Sequence, residues 1–347
     1  MIAFKKFIKK LIHNAQKCCW PVAVQSRFLT RLYYCFFDRS FGYEQQALLK
    51  AKLAYFRNGG VQEKSSSLLR RNIHRLEKGL IMEPRRDLFA LDYIQETVET
   101  FVKASKSEGF STSELNWAFS VLTAYFNAIK LSNSIVKKAQ KIFLSVESLE
   151  RDNCKPYCSE SRVNHDVSYD SLLALSKARR STRWFLDKSV EAEKLEKVVS
   201  VASQAPSACN RQPFEFVVVE GESFRKKVAK LPGGTVGFSD NIPCLIAVVG
   251  DQSYYPMDRD RHVIYIDSGL ASMQFMLAAE TLGLSTCAIN WPELEKLDEQ
   301  VSKLLKLPQY KRIVMFIALG YAKPKGGIPF SDKKTAEQLI YYVKEND

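Results

Sequence analysis

No stretch of the 347 residues reaches the ~18 consecutive apolar side chains that a helical membrane span needs. The N-terminus also lacks an apolar core ahead of a small-residue cleavage site. No secretory signal is expected, and the expected compartment is the cytoplasm. The eight cysteines have no framework spacing, and a chain of this size does not need disulfides to fold, so reduced thiols are expected. Cys154, Cys158 and His165 fall near one another, but a four-residue step is looser than a zinc knuckle and no fourth ligand is evident, so no metal centre is expected. No nucleic-acid motif or basic-aromatic stacking platform occurs. Residues 88–150 show no strand-like alternation, and the front half carries no enzyme motif.

What is present is globular. Apolar residues make up 46% and charged residues 26%. The length suits two domains. Charge is unevenly placed: the first 90 residues hold 18 Lys and Arg against 6 Asp and Glu, so almost all of the net +13 sits there. A basic front module attached to a near-neutral remainder points to an anionic partner, or to a solvated basic face kept for solubility.

Within residues 2–15, Phe4, Phe7, Ile8, Leu11 and Ile12 recur at helical spacing, and Lys5, Lys6, Lys9 and Lys10 fill the other side. This pattern predicts a short amphipathic helix able to lie on an anionic membrane surface or to dock on its own protein. The aromatic run Phe28 to Phe37 predicts a buried helical turn, residues 41–57 a helix, and Gly59-Gly60 a break. Ser65-Ser66-Ser67 and Gly79 bracket a further helix. On it Arg71, His74, Arg75 and Lys78 form a stripe that either binds an anion or faces solvent. Segments 89–105 and 112–148 read as helices, the second broken near Ser132-Asn133-Ser134. The polar stretch 151–168 reads as a linker and Tyr169 to Ala178 as a helix. The expected division is a basic all-helical region over 1–165 and a second domain over 170–347.

Two segments of that second domain carry chemistry. The first is Arg179-Arg180-Ser181-Thr182-Arg183, which offers fixed, planar, charged donors and a small hydroxyl. The second runs from Ala205 to Phe214, where Pro206 and Pro213 fix the backbone while Ser207, Asn210 and Gln212 present polar groups. It enters the apolar strand Val217-Val218-Val219, as a ligand loop enters an α/β sheet. Later come Asp267-Ser268-Gly269, read as opening a helix over Leu270–Leu282, and a strand over Leu284–Asn290. A strand over Ile313–Leu319 and the run Ser331-Asp332-Lys333-Lys334 close the sequence. Tyr254 and Tyr255 either line a pocket or are ordinary surface aromatics.

These blocks, in this order, resemble the FMN-dependent nitroreductase family over about residues 170–347. About half the chain comes before them, where relatives begin. The resemblance implies an α+β fold with an antiparallel-rich central sheet flanked by helices, here preceded by an all-α region. It implies FMN as cofactor, NADH or NADPH as electron donor, and a homodimer sharing each flavin site. By resemblance Arg179, Arg180 and Ser181 lie near the ribityl phosphate, and Arg183 reaches the pyrimidine edge of the ring. Pro206, Ser207, Asn210 and Gln212 form the loop that contacts the flavin, with Asn210 bonded to the ring. Ile289 and Asn290 offer a backbone N–H to the flavin N5, and either Lys333 or Lys334 meets the phosphate. The implied reaction is a ping-pong hydride transfer to a small-molecule acceptor of nitro, quinone or enone type, with no side-chain acid or base in the first step. Other members act on azolines, on iodotyrosine or on the flavin itself; the flavin-cleaving branch usually has an acid where Ser181 stands. The alternative is a binding protein, with or without flavin, whose basic helical half engages an anionic partner or a membrane.

Overall fold

The computed structural model describes residues 4, 7, 16–62, 64–146 and 154–344. The amphipathic segment expected over residues 2–15 lies outside them, apart from Phe4 and Phe7, which are helical and exposed. None of the described helices is long and apolar enough to cross a membrane.

The front half is built from α1 (Arg27–Phe36), α2 (Gly42–Asn58), α3 (Ser67–Leu80), α4 (Ile94–Ser105), α5 (Thr112–Ala128) and α6 (Ser134–Phe143). Side-chain caps start several of them. The Ser26, Ser66, Ser111 and Asn133 oxygens each accept a backbone N–H of the first turn, which would otherwise have no partner. The apolar stripe of α3 (Leu69, Ile73, Leu76) meets Ile94, Val98 and Phe101 of α4 and Val121, Leu122 and Tyr125 of α5. Val136, Ala139 and Phe143 of α6 close this core, whose buried residues all lie between 69 and 143.

The front half is helical as expected, with one small hairpin of β1 (Val61–Gln62) and β2 (Ser65–Ser66) ahead of α3. Two expectations need correction here. The aromatic run of α1 is mostly exposed, Phe28 by 67% and Phe36 by 70%, and only Tyr33 is buried, because no layer of the described residues covers that face. Gly79 does not end α3, which runs on to Leu80. It is glycine because the Phe89 ring lies against it: a Cβ there would come within 2.3 Å of the ring.

The second half begins with α7 (Tyr169–Ala178), as expected, and α8 (Ala192–Ala202). The sheet strands are β3 (Phe214–Val218), β4 (Cys244–Asp251), β5 (Ser285–Asn290) and β6 (Lys311–Gly320). They pair antiparallel throughout in the order β3-β4-β6-β5. Between them lie α9 (Glu222–Ala229), α10 (Val263–Thr281) and α11 (Glu295–Leu305). Alternation explains why the sheet is covered on both faces. Leu245, Ala247 and Val249 of β4 join Phe316 and Ala318 of β6 in one core, whereas Ile246 and Val248 join Ile317 and Leu319 in the other. α10 supplies Phe275 and Ala279 to the second core and starts a turn earlier than expected, so Asp267 lies inside the helix.

The helical half leans on the second half at two places. α2 packs over the turn at residues 252–254. There Lys50 Nζ donates to Gln309 Oε1 at 2.6 Å, Lys52 pairs with Asp258 at 3.0 Å, and the Arg312 guanidinium stacks 5.0 Å from the Tyr43 ring centre. α3 meets the loop around Ala208–Asn210. Tyr255 is buried beneath this joint, which corrects its reading as a surface aromatic.

Candidate flavin half-sites

The first arginine segment runs beside the outer strand of the sheet. The Thr182 N–H donates to the Thr286 carbonyl at 2.9 Å, and Ser181 forms a parallel bridge with Thr286 on β5. Among the described residues nothing else pairs with the outer edge of β5. Arg179 and Arg183 crowd Cys287: burial pushes its thiol pKa up while both guanidinium charges pull it down. Arg179 also acts on Glu280 near the end of α10, where burial raises the carboxyl and the arginine opposes it. Arg183 sits 5.9 Å from the Phe238 ring centre. Among the described residues none of Arg179, Arg180 and Arg183 forms an ion pair, and the buried Nε of Arg179 has no hydrogen-bond partner.

The C-terminal tail returns to this end of the sheet. Phe185 bridges Ala322, and Arg180 Nη2 donates to the Pro329 carbonyl at 2.9 Å. Lys333 and Lys334 follow a few residues on and are exposed. Ile289 and Asn290 close β5, Ile289 buried and Asn290 exposed. The next residue, Trp291, is buried and donates to Asp298 Oδ1 at 2.9 Å, which fixes the strand end.

The second loop lies elsewhere. It enters β3, the strand at the opposite edge of the sheet from β5, three strand spacings or about 14 Å away. The Ala208 N–H donates to Asp267 Oδ2 at 3.0 Å, near the start of α10. Asp267 and Glu280 are thirteen residues apart on one helix, which is about 20 Å along its axis. One chain therefore carries the predicted residues as two separate groups. Arg179, Arg180, Ser181 and Arg183 lie beside the start of β5, whose far end carries Ile289 and Asn290, and Lys333 and Lys334 follow the tail after Pro329; Pro206, Ser207, Asn210 and Gln212 lie at the β3 edge.

The loop holds an unusual backbone. Cys209, Asn210 and Gln212 have φ of 55, 51 and 52°, left-handed values at three residues that are not glycine. Such a conformation is costly for a side-chain-bearing residue and persists only where neighbours impose it. Here the Gln212 N–H donates to Ser207 Oγ at 3.1 Å, and Gln212 Nε2 to Asn210 Oδ1 at 3.2 Å. Asp267 is 3% exposed; burial raises its carboxyl pKa, and the Ala208 N–H and Arg211 oppose that rise. Arg211 is itself buried, 4.6 Å from the Tyr255 ring centre.

The sequence reading missed Asp267 as the acceptor that anchors the loop, and it missed Arg70, whose Nε donates to the Asn210 carbonyl at 2.7 Å. Arg70 was one of five cations between residues 64 and 78, and only the fold separates it from the rest. Of the stripe that either binds an anion or faces solvent, two members are engaged internally. Arg75 pairs with Asp92 at 3.3 Å and stacks on Tyr93, and His74 faces Glu77 at 3.3 Å.

Comparison with known proteins finds relatives of the second half of the chain. The model of the nitroreductase family matches residues 177–236 and 230–321. A protein of Archaeoglobus fulgidus provisionally named NADH dehydrogenase/NAD(P)H nitroreductase is 30% identical over 178 residues, 50% of this chain and 99% of its own length. The FMN reductase (NAD(P)H) of Bacillus subtilis is 26% identical over 157 residues, 41% of this chain and 62% of its own. Among solved structures, an FMN-dependent nitroreductase from Clostridium difficile aligns at 25% identity, covering 50% of this chain and 99% of its own, with a TM-score of 0.43.

Proposed function

The chain belongs to the nitroreductase family, and from that premise we propose that it is an NAD(P)H-dependent flavin oxidoreductase whose FMN sites are each built by two copies of the chain. The observation that carries this reading is an arginine cluster that forms no ion pair among the described residues, together with a strained amide loop near the other end of the same helix.

The residues fit the cofactor. A phosphate needs several cationic donors, and the Arg179 Nε is a buried donor without an acceptor. A planar ring needs an open edge of backbone groups, and the outer edge of β5 supplies one. Arg179 and Arg180, with Lys333 or Lys334, bind the phosphate, and Ser181 adds a hydroxyl donor. Arg183 sets a fixed positive charge against the pyrimidine edge of the ring, where reduction brings negative charge. A backbone N–H at Ile289 or Asn290 orients the ring from β5. From a second copy, Pro206 and Ser207 shape the loop, and Asn210 and Gln212 present amides to the ring. When bound, FMN supplies the redox chemistry, taking hydride from NADH or NADPH and yielding it to a second substrate of nitro, quinone or enone type in a ping-pong sequence. The chain's part is positioning and charge, without a side-chain acid or base.

Exposed apolar surface supports the second copy. On α10, Ile266, Leu270 and Met273 lie on the side facing away from the core. α7 buries none of its residues, and the tail exposes Phe330, Leu339, Tyr341 and Tyr342. Exposed large apolar residues in this number mark an association site.

The deciding experiment is an absorbance spectrum of the purified protein before and after anaerobic NADH or NADPH. The expected outcome is flavin bands bleached by one of the nucleotides. A colourless protein that takes up no added FMN would sink the reading.

A further inference from the structure

The helical half reaches into the loop that holds the flavin. Arg70 stands in the first turn of α3, and its Nε donates to the Asn210 carbonyl at 2.7 Å across 140 residues of sequence. The same guanidinium is fixed from behind. Its Nη1 donates to Glu114 Oε2 at 3.1 Å, and its Cζ lies 5.3 Å from the Trp117 ring centre. Glu114 is only 3% exposed, and it also accepts the Ser65 hydroxyl at 2.6 Å and the Ser66 N–H at 2.9 Å. A buried carboxylate with three sets of donors makes a rigid support, and the planar fork of Arg70 carries that rigidity to Asn210.

Contacts from three directions brace the left-handed loop: the Ser207 hydroxyl under Gln212, the Asp267 carboxylate under Ala208, and Arg70 on Asn210. The first two come from the region that the nitroreductase family shares. The third comes from residue 70, far ahead of residue 177 where the family match begins. It acts on Asn210, the residue whose side chain the functional reading places on the flavin ring.

We propose that Arg70 is a positioning residue for the flavin and that the helical half is thereby a working part of the cofactor site. Resting on the function proposed above, the inference says how the site is completed: Arg70 fixes the Asn210 carbonyl, and the fixed backbone aims the Asn210 amide at the ring. Two different guanidinium nitrogens serve Glu114 and Asn210. A lysine ammonium at residue 70 keeps the charge beside Glu114 but cannot stand in both places.

The test uses the full-length protein freed of flavin and titrated with FMN, for the wild type, R70K and R70M. The readouts are the Kd, the visible spectrum and midpoint potential of the bound flavin at saturation, and the melting temperature. R70K is expected to raise the FMN Kd about tenfold, the effect of losing one charge-assisted hydrogen bond, and to shift the visible bands and the potential. Its melting temperature should stay near wild type, because the ion pair with Glu114 survives. R70M should show the same flavin changes with lower stability; if it does not fold, R70K alone decides. Wild type and R70K with equal Kd, spectrum and potential would overturn the proposal while leaving the functional reading intact. A wild-type protein that binds no FMN would overturn both.

Discussion

At the scale of single residues, burial and charge set the behaviour of the groups between the two halves. Asp251 ends β4 and is almost fully buried; burial raises its pKa to about 6 against the partial relief of Ser253 and Lys311. A carboxyl with a folded pKa above its unfolded one holds its proton more tightly in the native state. Between about pH 4 and 6 the folded protein binds more protons, so this group's contribution to stability falls as pH rises through that window and stays low above it. Asn at this position has no charge to bury and can still accept the Ser253 N–H that Asp251 accepts at 2.8 Å. D251N is therefore expected to be more stable than wild type at pH 7.5, by up to about 3 kcal/mol. Near pH 4 the two should converge. Thermal melts across pH check this, and a constant difference at every pH would refute it. Arg70 belongs to the same scale: one guanidinium links a buried carboxylate to a strained carbonyl.

At the scale of elements, close approach decides where the helices end and how they pack. Gly79 lies inside α3, where alanine would ordinarily gain about 1 kcal/mol of helix propensity. The Phe89 ring occupies the space a Cβ would need. Overpacking of this kind costs about 1–3 kcal/mol, so the clash should win over propensity. G79A is expected to lower stability by about 1 kcal/mol in urea unfolding. An equal or more stable variant would show that the Phe89 ring swings aside freely. The same close packing explains why a glycine that reads as a helix stop in sequence is not one. In α10, by contrast, one side is buried from Ile264 to Ala279 and the other leaves Ile266, Leu270 and Met273 in solvent.

At the scale of the whole molecule, that uncovered side of α10 is where the proposed second copy would pack. About 20 Å of helix separates the arginine end from the amide loop, and a second copy packed on α10 would bring one end of each chain against the other end of its partner. L270E places a charge on this side without touching the core of the single chain. It is expected to convert a dimer to a monomer in sedimentation and to weaken FMN binding more than tenfold. The stability of the separate chain should change by only about 0.5 kcal/mol, as for other exposed sites. A monomer that keeps full FMN affinity would contradict the shared site, and so would a dimer unaffected by the charge.

The sequence alone determined the chemistry and the elements. Arg179 to Arg183 and Pro206 to Gln212 offered charged, planar and amide donors, and it was their resemblance to a known family that pointed those donors at a flavin. Periodicity placed α7, β5 and β6 closely, whereas β4, an apolar run buried on both faces, is not read as a strand from sequence and β3 begins three residues earlier than expected. What sequence could not reveal depends on neighbours far along the chain. Residues 183 and 206 are close in sequence but belong to opposite edges of the sheet. Arg70 and Asn210 are 140 residues apart yet share a 2.7 Å hydrogen bond. Strand order and helix docking set such distances. Both arise from packing that no local pattern encodes, so only the tertiary structure could set the two segments at opposite edges of the sheet and bring Arg70 of the helical half against one of them.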